Sequence, residues 1–288
     1  MSEKILVTGA SGQLGHLVVN ALLKSLPAQQ IVAGARNTGK AADLAARGVE
    51  VRALDYERPA TLETALSGIN KVLLISSSEI GKRARQNQAV IEAAKKADIK
   101  LLVYTSCLHA NTSILGVAEE HRQTEQALAA SGIPSVILRN GWYTENYAAS
   151  IPISLEHGVV LGSAGEGRIS SAARRDFAEA AAAVLVSKER QTGKIYELAG
   201  DAAYTLTEFA AEVARKSGKS IAYKDMPEEE YRKVLLDAGL PEPLAALLAD
   251  SDTGASKGAL FDDSHTLSQL IGRPTTPLAE VIASALAA

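Results

Sequence analysis

Among its 288 residues the chain has a single cysteine, Cys107. One thiol excludes an internal disulfide and suits a reducing compartment, so a cytoplasmic location is expected. Cys107 stands in an apolar, strand-like run, where it reads as a small hydrophobe. No apolar stretch reaches the about 18 residues of a membrane-spanning helix, and no such span is expected. The first residues lead straight into an apolar strand-like segment, which leaves no room for a signal peptide. Positive charge is not in excess: 30 Lys and Arg stand against 33 Asp and Glu, so no nucleic-acid partner is expected. No group of His, Cys, Asp and Glu has metal-ligand spacing, and no metal is expected. Aromatics make up only 4% of the residues, which makes any cluster of them informative. No low-complexity segment occurs.

What is present begins at once. Lys4-Ile5-Leu6-Val7-Thr8-Gly9-Ala10-Ser11-Gly12-Gln13-Leu14-Gly15 is an apolar run followed by three glycines spaced three apart. Leu14, Leu17, Val18, Ala21 and Leu22 then share one helical face. This is the pattern of a strand, a tight turn and a helix whose N-terminus holds a pyrophosphate. Gly9 permits the turn, Gly12 lets backbone N–H groups reach phosphate oxygens, and Gly15 lets the helix lie close on the sheet. Gly9, Ser11, Gly12, Gln13, Leu14 and Gly15 are therefore cofactor-binding candidates.

A second absence selects the cofactor. NAD-binding chains carry an acid at the end of the second strand, about 20 residues past the glycines, to hold the ribose 2′-OH. Here the run Gln30-Ile31-Val32-Ala33-Gly34-Ala35 ends at Arg36-Asn37. A guanidinium there pairs with a 2′-phosphate, so NADP(H) is expected over NAD(H). The alternative for Arg36 is a solvated residue at the start of a helix.

Strand-like and helix-like segments alternate through the first half. Strands are expected at Ile5–Thr8, Gln30–Ala35, Val49–Leu54, Lys71–Ile75, Lys100–Thr105 and Ser135–Leu138, with helices between them. Such alternation implies a doubly wound, Rossmann-type parallel sheet of α/β class. Residues 1–150 are read as the NADP(H)-binding domain. Residues 151–288 hold the remaining core elements, including a strand near 194–198, and a small α-rich cap over the substrate site. Residues 158–167 read as glycine-rich turns, Leu206–Ser217 as a helix capped by Thr207, and Pro241 and Pro243 as marks of a connection. Ser76, Ser77 and Ser78 end the fourth strand, where the nicotinamide ribose is expected. Asp55-Tyr56 follows the third strand and either borders the adenine or forms a surface turn. Arg174 or Arg175 reaches the site from the cap, Arg174 as a cofactor-binding candidate, or else caps a solvated helix.

Several of these segments are recognisable together: Thr8–Gly15, Ala35-Arg36-Asn37, Leu73–Ser78, Tyr104-Thr105-Ser106, Leu138–Tyr147, Leu240-Pro241 and Asp250–Gly258. In them the chain resembles the NmrA-like branch of the atypical short-chain dehydrogenases, and within it the bacterial type 2 NAD(P)H:quinone oxidoreductases. Triphenylmethane-dye reductases are close relatives. The resemblance implies a Rossmann core, NADP(H), and two-electron reduction of a quinone without flavin. It also departs from the wider superfamily. The Tyr-x-x-x-Lys pair, counted back from Gly132, falls on Val117 and His121, so neither catalytic residue is present.

Quinones tolerate that loss, because their reduction is driven by aromatisation and needs less help from an acid. His121 and Asn146 are the catalytic candidates, with an exposed helical histidine as the alternative for the first. Asn140 and Asn146 are candidates to orient a quinone oxygen, and Trp142, Tyr143 and Tyr147 to stack on its ring. Core packing of a loop is the alternative for the aromatics. Two other functions remain open: an NADP(H)-sensing regulator without chemistry, and a dye or imine reductase.

Overall fold

The computed structural model describes residues 3–287. They divide into two compact units that interleave along the chain. The first comprises the residues up to 110, then 119–139 and 177–196; the second comprises 111–118, 140–176 and the residues from 197 onward.

The first unit is the expected α/β layer structure. Its elements in chain order are β1 (Ile5–Val7), α1 (Gln13–Leu22), β2 (Ile31–Ala35), α2 (Ala42–Ala46), β3 (Glu50–Ala53), α3 (Pro59–Leu66), β4 (Lys71–Leu74), α4 (Arg83–Lys96), β5 (Leu101–Cys107), α5 (Ala118–Ser131) and β6 (Ser135–Asn140). α8 (Arg174–Val186) and β8 (Ile195–Leu198) follow later in the chain. The sheet runs β3-β2-β1-β4-β5-β6-β8, and its pairs from β3 to β5 are parallel. In register, Ile5 lies opposite Ile31 on one side and Lys71 on the other. Strands covered on both faces cannot alternate, which is why β1 and β2 are uniformly buried. Leu6, Val32, Val72, Leu102 and Tyr104 pack with Leu62 and Leu66 of α3 and Val90 and Ile91 of α4. The chain winds outward from β1 through β2 to β3, then returns to β4 on the other side of β1. Ligands of such sheets bind at this reversal, beyond the carboxyl ends of the strands. The strand expected near 194–198 is β8, the edge of the same sheet.

The second unit holds α6 (Thr144–Ala148), α7 (Ile151–His157), β7 (Val159–Gly162), α9 (Leu206–Ser217), β9 (Ala222–Asp225), α10 (Glu228–Asp237), α11 (Glu242–Ser256), α12 (Thr266–Ile271) and α13 (Leu278–Ala287). Its core gathers Tyr147, Ile151, Val160, Leu206, Phe209, Val213 and Ile282. Three details differ from the sequence reading. Val159–Gly162, expected as turns, is a strand paired in parallel with β9; Gly158, at φ 71°, ends α7 just before it. α9 is capped by Thr205 rather than Thr207, because Thr205 and Glu208 form a reciprocal capping box. α11 spans 15 residues, since Pro243 stands in its first turn, where a missing N–H is harmless.

Candidate active site

In the first unit, Gly9 turns the chain out of β1 at φ +60°, a conformation that costs other residues more. The turn closes through Gly12 N–H to Gly9 O at 2.9 Å. α1 then begins at Gln13 with no side-chain cap and no acid in its first turn. Its positive end is therefore left for an anion. A Cβ on Gly15 would lie 2.4 Å from the Gly9 carbonyl oxygen, so only glycine lets the helix approach this closely. Gly12 is different: its φ of −84° suits any residue, and an added Cβ would meet Gly9 O at 3.2 Å. Gly12 and Gln13 are exposed and Ser11 is half-buried, while Leu14 turns its side chain into the core. The residues present fit a dinucleotide pyrophosphate.

Arg36 stands one residue beyond β2 and is exposed, and it donates from Nη1 to Glu79 Oε1 at 2.7 Å. Glu79 comes from the segment after β4. Beside it, Ile75 N–H donates to Thr8 Oγ1 at 2.9 Å, and the Tyr56 hydroxyl lies 2.6 Å from Thr8 Oγ1 and 2.8 Å from Ile75 O. Tyr56 stands half-buried in a turn after β3, and its hydroxyl ties the ends of β1 and β4 together; burial raises its pKa. Ser76 N–H donates to Thr105 Oγ1 at 2.9 Å, and Ser77 O accepts from Arg83 Nε at 2.6 Å. The Ser77 hydroxyl bonds Gln86. Ser78 is exposed.

His121 is not the exposed helical residue considered as its alternative. Only 6% of it is accessible, and its Nδ1 lies 2.8 Å from the Tyr104 hydroxyl. Burial, then the positive charge of Arg83, push its pKa down to about 3. The imidazole is neutral at physiological pH and cannot act as an imidazolium acid. Ser106, at the end of β5, donates to Glu125 Oε1 at 2.6 Å, and Glu125 is also gripped by Arg139 Nε and Nη2 at 3.0 and 2.7 Å. That hydroxyl is committed to a buried ion pair joining β5, α5 and β6.

The second unit collects the aromatic segment. Asn140 Oδ1 and Trp142 Nε1 are buried without a hydrogen-bond partner, an acceptor and a donor left for something else. Tyr143 is half-buried, with the Arg174 guanidinium 4.6 Å from its ring centre. Arg174 Nη2 reaches Asn146 Oδ1 at 3.4 Å, and both oxygens of Glu145 accept from Arg174 N–H at the start of α8. Arg174, grouped above with the cofactor residues, thus has its recorded contacts among the substrate candidates. Tyr147 is a core residue: its ring packs against Trp142 and Phe209, and its hydroxyl donates to Asp252 Oδ1 at 2.8 Å. Asp252 Oδ2 accepts from Ser163 N–H at 3.1 Å. Burial is the main reason its carboxyl is pushed up to about 6.

Sequence reasoning missed Glu79, Thr8 and Asp252. Glu79 carries no motif, and Thr8 reads only as the start of the glycine motif; strand order alone brings them to Arg36 and Tyr56. Asp252 had a visible signal, a carboxylate within a helix of mostly small and apolar residues. Among the described residues no group of His, Cys, Asp and Glu could hold a metal ion, and no helix is long and apolar enough to cross a membrane.

The model of the NmrA-like family matches residues 1–272. Quinone oxidoreductase 2 of Escherichia coli (strain K12) is 57% identical over 278 residues, which cover 96% of this chain and 97% of that protein. Two solved structures are similar throughout. An Escherichia coli NADPH-dependent quinone oxidoreductase complexed with NADPH gives a TM-score of 0.95 at 56% identity, covering 98% of this chain and 99% of the other. The triphenylmethane reductase of Citrobacter sp. complexed with NADP(H) gives 0.93 at 38% identity, covering 98% and 100%.

Proposed function

The chain belongs to the NmrA-like family, and from that premise we propose that it is an NADPH-dependent quinone oxidoreductase that works by direct hydride transfer without flavin. The observation that carries the reading is the N-terminus of α1, uncapped and free of acids, with Gly15 pressed on Gly9 and Arg36 at the end of the neighbouring strand. Ser11, Gln13 and Leu14 offer backbone N–H groups to the pyrophosphate, while Gly9 shapes the turn, Gly12 leaves room for the phosphate and Gly15 lets the helix lie close. Arg36 takes the 2′-phosphate, and Ser76, Ser77 and Ser78 border the ribose. The reaction belongs to the cytoplasm, where the lone Cys107 stays reduced.

Bound NADPH supplies the hydride. The chain's part is to bind and orient. Trp142 and Tyr143 offer ring faces to a quinone, and Tyr147, locked by Asp252, buttresses Trp142 from behind. Arg174 holds the Asn146 amide in place. No acid near neutrality is required, since the product anion is stabilised by its own aromatic ring. The neutral His121 and the committed Ser106 agree with that.

Turnover tests the reading. Purified protein, free of flavin absorbance, mixed with NADPH and excess benzoquinone should consume many equivalents of NADPH. A simple ketone should leave NADPH intact. Tight NADPH binding with no turnover on benzoquinone or on a triphenylmethane dye would instead mark a nucleotide-sensing regulator.

A further inference from the structure

Resting on the reading of Arg36 as the 2′-phosphate ligand, we propose that Glu79 sets the strength of the NADPH preference by competing with that phosphate for the same guanidinium. The sheet order places β1 between β2 and β4. Arg36 follows β2 and Glu79 follows β4, so their 2.7 Å ion pair bridges the carboxyl end of β1, where the Gly9–Gly15 turn begins. This is the switch point at which doubly wound sheets bind nucleotides.

The two partners are held unequally. The Glu79 side chain is 30% exposed, and its Oε2 also accepts from Lys82 Nζ and Gln86 Nε2, each at 3.3 Å. Its backbone N–H is held by Ser77 Oγ at 3.1 Å. The Arg36 side chain is 68% exposed, and its hydrogen bond among the described residues is to Glu79. When the pair opens, Arg36 swings away while the carboxylate stays where it is, still satisfied. NADPH must open the pair and then seat a phosphate beside the carboxylate left behind. NADH carries a neutral 2′-hydroxyl and need do neither. The device therefore acts on one cofactor only.

An exposed pair of this kind is a weak competitor, so the effect is modest. Glu79→Gln keeps the side-chain shape and removes the charge. The dissociation constants of NADPH and NADH, measured by titration calorimetry on the full chain, should separate. NADPH should bind roughly threefold to tenfold more tightly, a range set by losing an exposed competitor and its repulsion. NADH should change less than about twofold, because no phosphate competes. In an Arg36→Gln background the effect of Glu79→Gln should shrink, because only the repulsion between carboxylate and phosphate is left to remove. Unchanged or weaker NADPH binding in Glu79→Gln, or equal tightening of both cofactors, would overturn the proposal. The reading beneath it fails separately: if Arg36→Gln alone leaves NADPH affinity intact, then Arg36 does not hold the phosphate.

Discussion

Replacing Asp252 by asparagine should stabilise the protein at alkaline pH and leave it nearly unchanged in acid. Asp252 is 2% exposed, between the Tyr147 hydroxyl and the Ser163 N–H. Burial, helped by the nearby Asp225 charge, outweighs those two hydrogen bonds and lifts its carboxyl from 3.8 to about 6. A folded-state value above the unfolded one fixes the sign. The stability of the protonated form is complete below the unfolded value of 3.8 and is lost as pH rises through about 6. The rise corresponds to about 3 kcal/mol of disfavoured charge above that window. The asparagine side chain keeps the shape and carries no charge. Its oxygen can accept from Ser163 N–H, and its amide can donate to a Tyr147 hydroxyl turned round. His121 acts in the opposite direction, since burial and Arg83 lower it to about 3, and its stabilising share is lost as pH falls from 6.5. The pH profile of the native protein therefore mixes the two, and the difference between the native and Asp252→Asn proteins isolates the carboxyl. Urea unfolding of both should give a gap in favour of Asp252→Asn of about 2–3 kcal/mol at alkaline pH, shrinking toward zero near pH 4. A gap that does not change with pH, or an Asp252→Asn protein weaker at alkaline pH, would refute the argument.

Five further substitutions have defined outcomes. Arg36→Asp should raise the KM for NADPH by about tenfold or more, the worth of a charged hydrogen bond, and affect NADH far less; equal changes would remove Arg36 from cofactor choice. Gly12→Val should fold, since its backbone is extended, yet fail to bind NADPH in a titration, whereas unchanged affinity would reduce the glycines to a turn. Gly15→Ala should lower the melting temperature or prevent folding altogether, because its Cβ would meet Gly9 O at 2.4 Å. His121→Ala should cost about 1 kcal/mol of stability by removing its hydrogen bond to the Tyr104 hydroxyl, which keeps Asn87 Nδ2 at 3.3 Å, while kcat/KM on benzoquinone falls by less than the roughly hundredfold owed to a general acid. Tyr143→Ala should reduce kcat/KM more than His121→Ala does, and the reverse order would show that the imidazole takes part in the chemistry.

The sequence by itself determined the alternation of strands and helices, the turn after β1 and the nature of the anion that fits it. Those features are local: a glycine at φ +60°, an apolar run, and a helix start without an acid are read within a dozen residues. A strand near 194–198 was legible too, but only the sheet order makes it β8, the edge beside β6. It could not yield β7, four residues whose strand character comes from pairing with β9 some 60 positions later. Tertiary structure alone decided what each side chain does. His121 looks exposed beside Glu120 and Arg122, yet the packing of α5 on β5 buries it against Tyr104 and holds it neutral. Tyr147 looks like a free ring, yet an aspartate 105 positions away fixes its hydroxyl. Arg36 looks unopposed until the strand order brings Glu79 to it across β1. Backbone conformation answers to neighbours in the chain, whereas charge, burial and hydrogen bonding answer to neighbours in space, and only the fold supplies those.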